Sequence, residues 1–129
     1  MFLKYEEVIE FLKEKEIYSE DSKVIWATKR IGRSSTNAYF LLIFSSDRLI
    51  VIGVSAMGKP EEVLDVIEVA DMERCEFKKK LLMGYQLTIE TKESKSTTLH
   101  VNKAMVGTKW HKENFESIQG NNFDYVTFT

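Results

Sequence analysis

The most apolar stretch of the chain lies at residues 39–54, where two runs rich in Ile, Val, Phe and Tyr flank a short polar break. The break reads Ser45-Ser46-Asp47. Each run is too short to span a membrane, and its β-branched and aromatic content is typical of a strand. The pattern predicts a β-hairpin whose two strands lie on one side of a core.

The spacing of apolar residues is different from Tyr5 to Tyr18. Apolar residues recur there at i, i+3, i+4 and i+7, and charged residues occupy the remaining positions. This spacing predicts an amphipathic helix. Through Asp21 the chain carries seven acidic residues against three lysines, so residues 1–22 are expected to form an acidic N-terminal helical segment.

After the turn signal at residues 19–22 the period changes to that of a sheet. Besides the hairpin, strands are predicted at residues 24–28, 63–69, 74–78, 85–90 and 97–101. The alternation from Tyr85 to Glu90 is the clearest, and it places Leu87 and Ile89 toward the core. Trp110, Phe115 and the residues between them predict a short helix that ends at Gly120.

About seven antiparallel strands with helices near both ends predict a mainly β, α+β fold, built as a barrel of two packed sheets. The expected division is an N-terminal helix at 1–22, a β domain at 23–119 and an aromatic C-terminal tail at 120–129. With 129 residues, 43% hydrophobic and 29% charged, the chain is expected to form a single domain.

The net charge and the cysteine content indicate which partners and which cellular compartment to expect. A net charge of −2 gives no overall attraction to polyanions, so nucleic acid is not an expected partner. The single cysteine, Cys75, cannot form an internal disulfide, which favours a reducing compartment. Acidic residues near the N-terminus are unlike a signal peptide, and the expected location is the cytoplasm.

Two segments carry a recognisable pattern of strands and turns, FLLIFSSDRLIVIGV at residues 40–54 and VIEVADMERCEFKKKLLMGYQLTIET at residues 66–91. Together they resemble bacterial pleckstrin-homology-like domains. The matching positions include Arg48-Leu49, Asp71-Met72, Leu81-Leu82 and Gly84. The resemblance covers roughly residues 23–119 in the order of its elements. It implies a pleckstrin-homology-like fold and no catalytic residues.

Two groups of basic residues are candidate sites for an anionic ligand or membrane surface. Lys29, Arg30 and Arg33 follow the first strand, where the resemblance would place the phosphoinositide-binding residues of eukaryotic pleckstrin-homology domains. The alternative is a solvated loop.

The second group, Lys78, Lys79 and Lys80, precedes Leu81-Leu82-Met83. A basic run beside an exposed apolar turn favours an anionic bilayer. The alternative is that both leucines fold beneath the sheet.

The tail residues Phe123, Tyr125 and Phe128 are candidate oligomer contacts. They are too apolar to be left singly in water, so they are expected to pack on their own sheet or on a second copy. Removing the chain after Gly120 would separate these two possibilities.

The sequence shows no nucleophile paired with a base, no tuned pair of carboxylates and no metal-ligand spacing. His100 and His111 are expected to be structural or exposed, and no catalytic residue, metal or cofactor is predicted. The first expectation is a non-enzymatic interaction or self-assembly module with a protein partner or a second copy. The alternative is peripheral binding to anionic membrane lipid through the basic loops.

Overall fold

The computed structural model describes residues 3–30, 37–105, 107–120 and 122–129. These residues form two α-helices, eight β-strands and a 3-10 turn at Val69–Asp71. The helices are α1 (Tyr5–Glu14) and α2 (Lys109–Gln119). The strands are β1 (Lys23–Arg30), β2 (Asn37–Phe44), β3 (Arg48–Val54), β4 (Pro60–Glu68), β5 (Met72–Lys79), β6 (Tyr85–Thr91), β7 (Ser96–Val101) and β8 (Thr127–Phe128).

All eight strands belong to one open, mixed sheet with the order β4-β3-β2-β1-β7-β6-β5-β8. Strand β8 runs parallel to β5, and the other neighbours are antiparallel. The predicted barrel of two packed sheets is therefore wrong. Strands β1 and β7 join the two halves into a continuous sheet through the pair Thr28 and His100. Periodicity identifies strands, but it does not identify which strands become neighbours.

The sheet curves strongly over one core. Phe44 on β2 and Phe77 on β5 are four strands apart, which is about 19 Å across a flat sheet. Their ring centroids are nevertheless 6.1 Å apart. The concave face encloses this core, and α2 adds Phe115 and Ile118 to it. Leu87 is also buried there, as the alternation in β6 predicted.

A second apolar cluster covers the convex side of β1, β2 and β3. Leu3, Val8 and Leu12 of the N-terminal segment are buried against outward-facing strand residues, among them Trp26 and Ile50. These three strands are thus buried on both faces, which explains why their apolar runs are continuous rather than alternating. The expectation that the hairpin has a core on one side only is corrected by this packing.

Buried His111 fixes α2 to the sheet. Its Nδ1 accepts a hydrogen bond from the backbone N–H of Trp26 at 2.9 Å, and its Nε2 lies 2.6 Å from the carbonyl oxygen of Asn102. A neutral ring with its proton on Nε2 satisfies both contacts. Burial lowers the pKa of His111, and the hydrogen bond to Asn102 opposes this shift.

Long-range hydrogen bonds close the fold at both ends of the chain. The indole N–H of Trp110 donates to the carbonyl of Leu3 at 2.9 Å, and the Tyr125 hydroxyl donates to the carbonyl of Ser45 at 2.8 Å. The first bond ties α2 to the segment before α1, and the second ties the tail to the β2–β3 turn. Both contacts join residues that are far apart in the sequence.

The aromatic tail packs on its own chain. Phe123 is buried, and the ring of Phe128 stacks on that of Phe77 with centroids 4.7 Å apart. Tyr125 packs against the same core, and β8 pairs with the outer edge of β5. The three residues considered for an oligomer contact therefore contact the concave core, and a contact with a second copy stays a prediction.

We expect acid to weaken the fold through His111. Its folded-state pKa is depressed, so the stability it contributes is present above the unfolded value of about 6.5 and is lost as pH falls through the folded pKa. The unfolding free energy should fall with a slope of at most about 1.4 kcal/mol per pH unit. Urea unfolding across this range measures it.

His111→Gln removes the titrating group and should flatten this part of the pH profile. Lys112→Gln is the matched control, because it changes an exposed residue of the same helix and keeps His111, so the slope should persist. Equal pH profiles for the wild type and His111→Gln would show that another group carries the linkage.

Candidate functional site

The junction between β1 and β7 opens a groove on the convex face. The two strands pair only at Thr28 and His100, although each keeps an extended ladder with its other neighbour. Thr28 and Arg30 lie on the same face as Trp26, because side chains alternate along a strand. The groove encloses about 410 Å³ and is called the outer groove below. Its polar lining includes Thr28, Lys29, Arg30, Gln86, Thr98 and His100.

The outer groove brings together residues from both basic groups. Lys29 and Arg30 come from the end of β1, and Lys80 comes from the turn after β5. All three side chains are exposed. Lys78 and Lys79 are also exposed, at the end of β5. Arg33 lies outside the described residues.

A hydrogen-bond chain holds Lys80 at the groove. Its Nζ lies 2.8 Å from Nδ1 of His100, and Nε2 of His100 lies 2.8 Å from Oδ1 of Asn102. A lysine ammonium can only donate, so a neutral His100 with its proton on Nε2 fits both contacts. His100 therefore positions the ammonium group. Sequence reasoning did not find this role, because the contact depends on how β5 and β7 are placed around β6.

The turn after β5 presents apolar side chains to water. The basic turn, defined as Lys78–Gly84, is closed by a 3.0 Å hydrogen bond from the Lys80 N–H to the Gly84 carbonyl. Leu81, Leu82 and Met83 are 99%, 95% and 71% exposed. The alternative interpretation, in which the leucines fold beneath the sheet, is therefore wrong.

Gly84 fixes where the basic turn leaves the sheet. Its φ of +74° lies in the left-handed region that favours glycine. A Cβ at this position would lie 2.7 Å from Cε1 of His100 and 2.9 Å from the carbonyl oxygen of Val101. The absence of a side chain lets the turn pack against the end of β7 that carries His100.

Cys75 is buried in the concave core, and burial raises its pKa to about 12. Its thiol is protonated at neutral pH, and a protonated, buried thiol is a poor nucleophile. Within the described ranges, no group of three His, Cys, Asp or Glu residues is arranged to hold a metal ion. No helix in that part of the chain is long and apolar enough to cross a membrane.

Comparison with known proteins places the fold. No family model matches the chain, and no curated protein sequence matches it. Among solved structures, the chain is similar to the hSac2 domain from the human phosphoinositide phosphatase Sac2, with 14% identity and a TM-score of 0.51. The match covers 98% of this chain and 91% of that chain. It supports a pleckstrin-homology-like or related fold, and it does not extend to the bacterial group.

The same comparison corrects the expectation that the chain is not an enzyme, because the similar domain comes from a phosphatase. At 14% identity the likeness shows the fold alone. Function depends on the residues of a site rather than on the fold that carries it. No reaction and no catalytic residue is therefore transferred to this chain.

Replacing Gly84 with alanine is expected to lower the unfolding free energy by about 1–3 kcal/mol, because the new Cβ adopts an unfavourable φ and meets the His100 ring. Chemical denaturation measures the loss, and the imidazole NMR signals of His100 should shift. Met83→Ala is the control, since that side chain is exposed and its loss should change stability little. Wild-type stability and unchanged His100 signals in Gly84→Ala would contradict the proposed packing.

Proposed function

We propose that the chain attaches peripherally to an anionic membrane surface through the basic turn. The observation that carries the proposal is the nearly complete exposure of Leu81 and Leu82 directly after Lys78, Lys79 and Lys80. Contiguous exposed apolar side chains mark interaction sites in folded proteins. The cytoplasmic leaflet carries anionic lipids, which suits the cytoplasmic location expected from the sequence.

The composition of the turn suits reversible binding. Each lysine near an anionic bilayer contributes ~1 kcal/mol, and full burial of a leucine contributes ~1.5–3 kcal/mol. Partial insertion of Leu81 and Leu82 with three lysines therefore supplies about 6 kcal/mol, a dissociation constant between millimolar and micromolar. The closing hydrogen bond and the packing of Gly84 hold the turn away from the core, so little order has to be gained on binding.

A relation to bacterial pleckstrin-homology-like domains is part of this proposal. It is supported by the positions that carry the sequence resemblance, above all Arg48-Leu49, Leu81-Leu82 and Gly84. In the structure, the Arg48 guanidinium donates to the carbonyl of Ile17 at 3.4 Å, and Gly84 supports the basic turn. These positions thus have structural reasons to be shared among domains of this kind.

Lipid vesicles test the attachment. We expect the wild type to co-sediment with anionic vesicles at low salt and to dissociate as salt is raised, because the charge attraction is screened. Reversing Lys78, Lys79 and Lys80 to Glu should abolish binding, and replacing Leu81 and Leu82 with Ser should weaken it by about tenfold or more.

The matched control reverses Lys92 and Lys95, two exposed lysines of the β6–β7 turn, and should leave binding within about twofold. A wild type that ignores anionic vesicles at low salt rules out the attachment. Binding that survives the triple reversal would instead reject the basic turn as its site.

Self-association through the edge of β4 is a second candidate, favoured by one observation. Strand β4 ends the sheet order, and its Leu64 and Val66 are 48% and 40% exposed. An exposed edge offers unpaired backbone groups to another strand. Several acidic residues of β4 would repel a second copy of the same edge, namely Glu61, Glu62, Asp65 and Glu68.

The sign of the salt dependence separates this candidate from membrane attachment. Screening should strengthen pairing of two acidic edges, so we expect the mass in solution to rise above the 15.0 kDa of one chain as salt increases. Changing Leu64 and Val66 together to Glu should keep the protein monomeric, because it removes the apolar contact and adds to the charge repulsion. Phe128→Ala is the control for the tail, and it should lower the melting temperature without changing the mass. A 15.0 kDa mass at every salt concentration excludes the β4 contact.

A further inference from the structure

We propose that the outer edge of β4 binds a short, extended, basic segment of a partner protein as an added strand. This edge is separate from the basic turn, so the proposal does not depend on the membrane attachment. It is the edge that self-association would use, and its charge favours a partner of the opposite sign.

Strand β4 offers the longer of the two outer edges of the sheet. It has β3 on one side and no strand on the other among the residues that the structure describes. At the opposite end of the sheet, the edge of β5 is covered by β8 of the same chain. Strand β4 spans nine residues and β8 only two, so β4 is the edge with room for a further strand.

The hydrogen bonds between β3 and β4 determine which backbone groups of β4 face outward. The N–H of Val69 donates to the carbonyl of Asp47 at 2.9 Å. Alternate residues of an antiparallel strand bond to the same neighbour, so Ile67 also faces β3. Val66 and Glu68 therefore direct their N–H and C=O groups away from the sheet, where another strand can pair with them.

A β-bulge limits the usable length of this edge. The register between β3 and β4 shifts by one residue at Leu64, which leaves Asp65–Glu68 as a regular stretch. Bulges and charged side chains protect an edge against unintended pairing. The edge therefore suits a short segment of matched chemistry and weak, reversible binding.

An acidic cleft of about 170 Å³ lies beside the regular stretch, between β4 and the β6–β7 turn. Four carboxylates line it, from Asp65, Glu68, Asp71 and Glu93. The first three form no ion pair with another described residue. Lys95 is the one cation among the described lining residues, and its exposed pair with Glu93 is long, at 4.0 Å. Such pairs are weak, so much of the negative charge is left for a ligand.

The cleft favours lysine or arginine side chains on the added strand. These side chains combine an apolar stem with a charged head, and Val66 and Ile67 provide apolar surface between the carboxylates. In strand addition, backbone hydrogen bonds supply affinity and the alternate side chains supply specificity. A second copy of β4 would bring its own carboxylates to the same place, and like charges that face each other across strands are destabilising.

The first experiment titrates a blocked hexapeptide of alternating lysine and valine into the protein at low salt and follows its amide NMR signals. We expect saturable shifts at Asp65–Glu68 that weaken as salt is raised. The amides of Val66 and Glu68 should become protected from hydrogen exchange, because they gain hydrogen bonds, whereas that of Ile67 is already bonded to β3. A hexapeptide of alternating glutamate and valine is the matched probe and should not bind.

The second experiment tests whether the peptide binds through its backbone. N-methylation of all its valines removes the N–H donors from one edge of the extended peptide, and N-methylation of all its lysines removes them from the other. Only one edge of the peptide can meet β4. We therefore expect one methylated peptide to lose about tenfold or more in affinity and the other to bind within about twofold of the unmodified peptide.

Variants of the protein test the charges and the edge separately. Asp65→Asn combined with Glu68→Gln should weaken binding by about fivefold, the effect of losing two exposed charge pairs. Glu113→Gln combined with Glu116→Gln removes the same charge from exposed positions of α2 and should leave binding within about twofold.

Val66→Pro removes an outward N–H, which an edge strand tolerates, and should abolish binding. Val66→Thr keeps this N–H and should bind as the wild type. Urea unfolding of both variants checks that the fold is retained.

The outcomes separate this inference from the other proposals. Equal effects of the two methylations overturn strand addition, and equal effects of the β4 and α2 charge variants overturn it in favour of bulk charge. An absence of shifts at Asp65–Glu68 at low salt also overturns it, and a mass that rises with salt would then assign the edge to a second copy. Vesicle binding is measured without the peptide, so the membrane attachment stands or fails independently of these results.

Discussion

The architecture depends on how the two halves of the sheet meet. Strands β4-β3-β2-β1 and β7-β6-β5-β8 are each held by pairing between neighbours, and the halves share a single pair, Thr28 with His100. One pair is enough to make the sheet continuous, but it is too little to keep β1 and β7 side by side along their whole length. The sheet can therefore curve until Phe44 meets Phe77, and the same divergence opens the outer groove.

Much of the local structure follows from the sequence pattern. The alternation around Leu87 and Ile89 predicted their burial, and the helices near the two ends were also predicted correctly. The strand predicted at residues 63–69 begins three residues earlier in the structure, at Pro60 of β4, which pairs with Val54 of β3 and lies at the end of the sheet order. A proline is tolerated at the first residue of an edge strand, so composition alone misplaced this boundary.

The long-range arrangement could not be read from one sequence. Continuous apolar runs in β2 and β3 are compatible with one buried face or with two, and only the packing of Val8 and Leu12 decides between them. Lys29 and Lys80 are 51 positions apart in the sequence, and they share a groove because β7 and β6 lie between β1 and β5 in the sheet. The exposure of Leu81 likewise depends on Gly84 meeting the end of β7, a contact that no local rule predicts.

The contacts that join the chain ends also shape how the protein reaches its native state. Trp110 bonds to Leu3 across 107 positions, and Tyr125 bonds to Ser45 across 80. Closing such long loops costs chain entropy before any stabilising contact repays it, so folding dominated by them is slow. The β2–β3 hairpin closes only a short loop, whereas the contacts of the tail with the concave core close much longer ones. A chain whose tail has not yet docked would leave the face of Phe77 that stacks on Phe128 uncovered, and such exposed apolar surface favours aggregation.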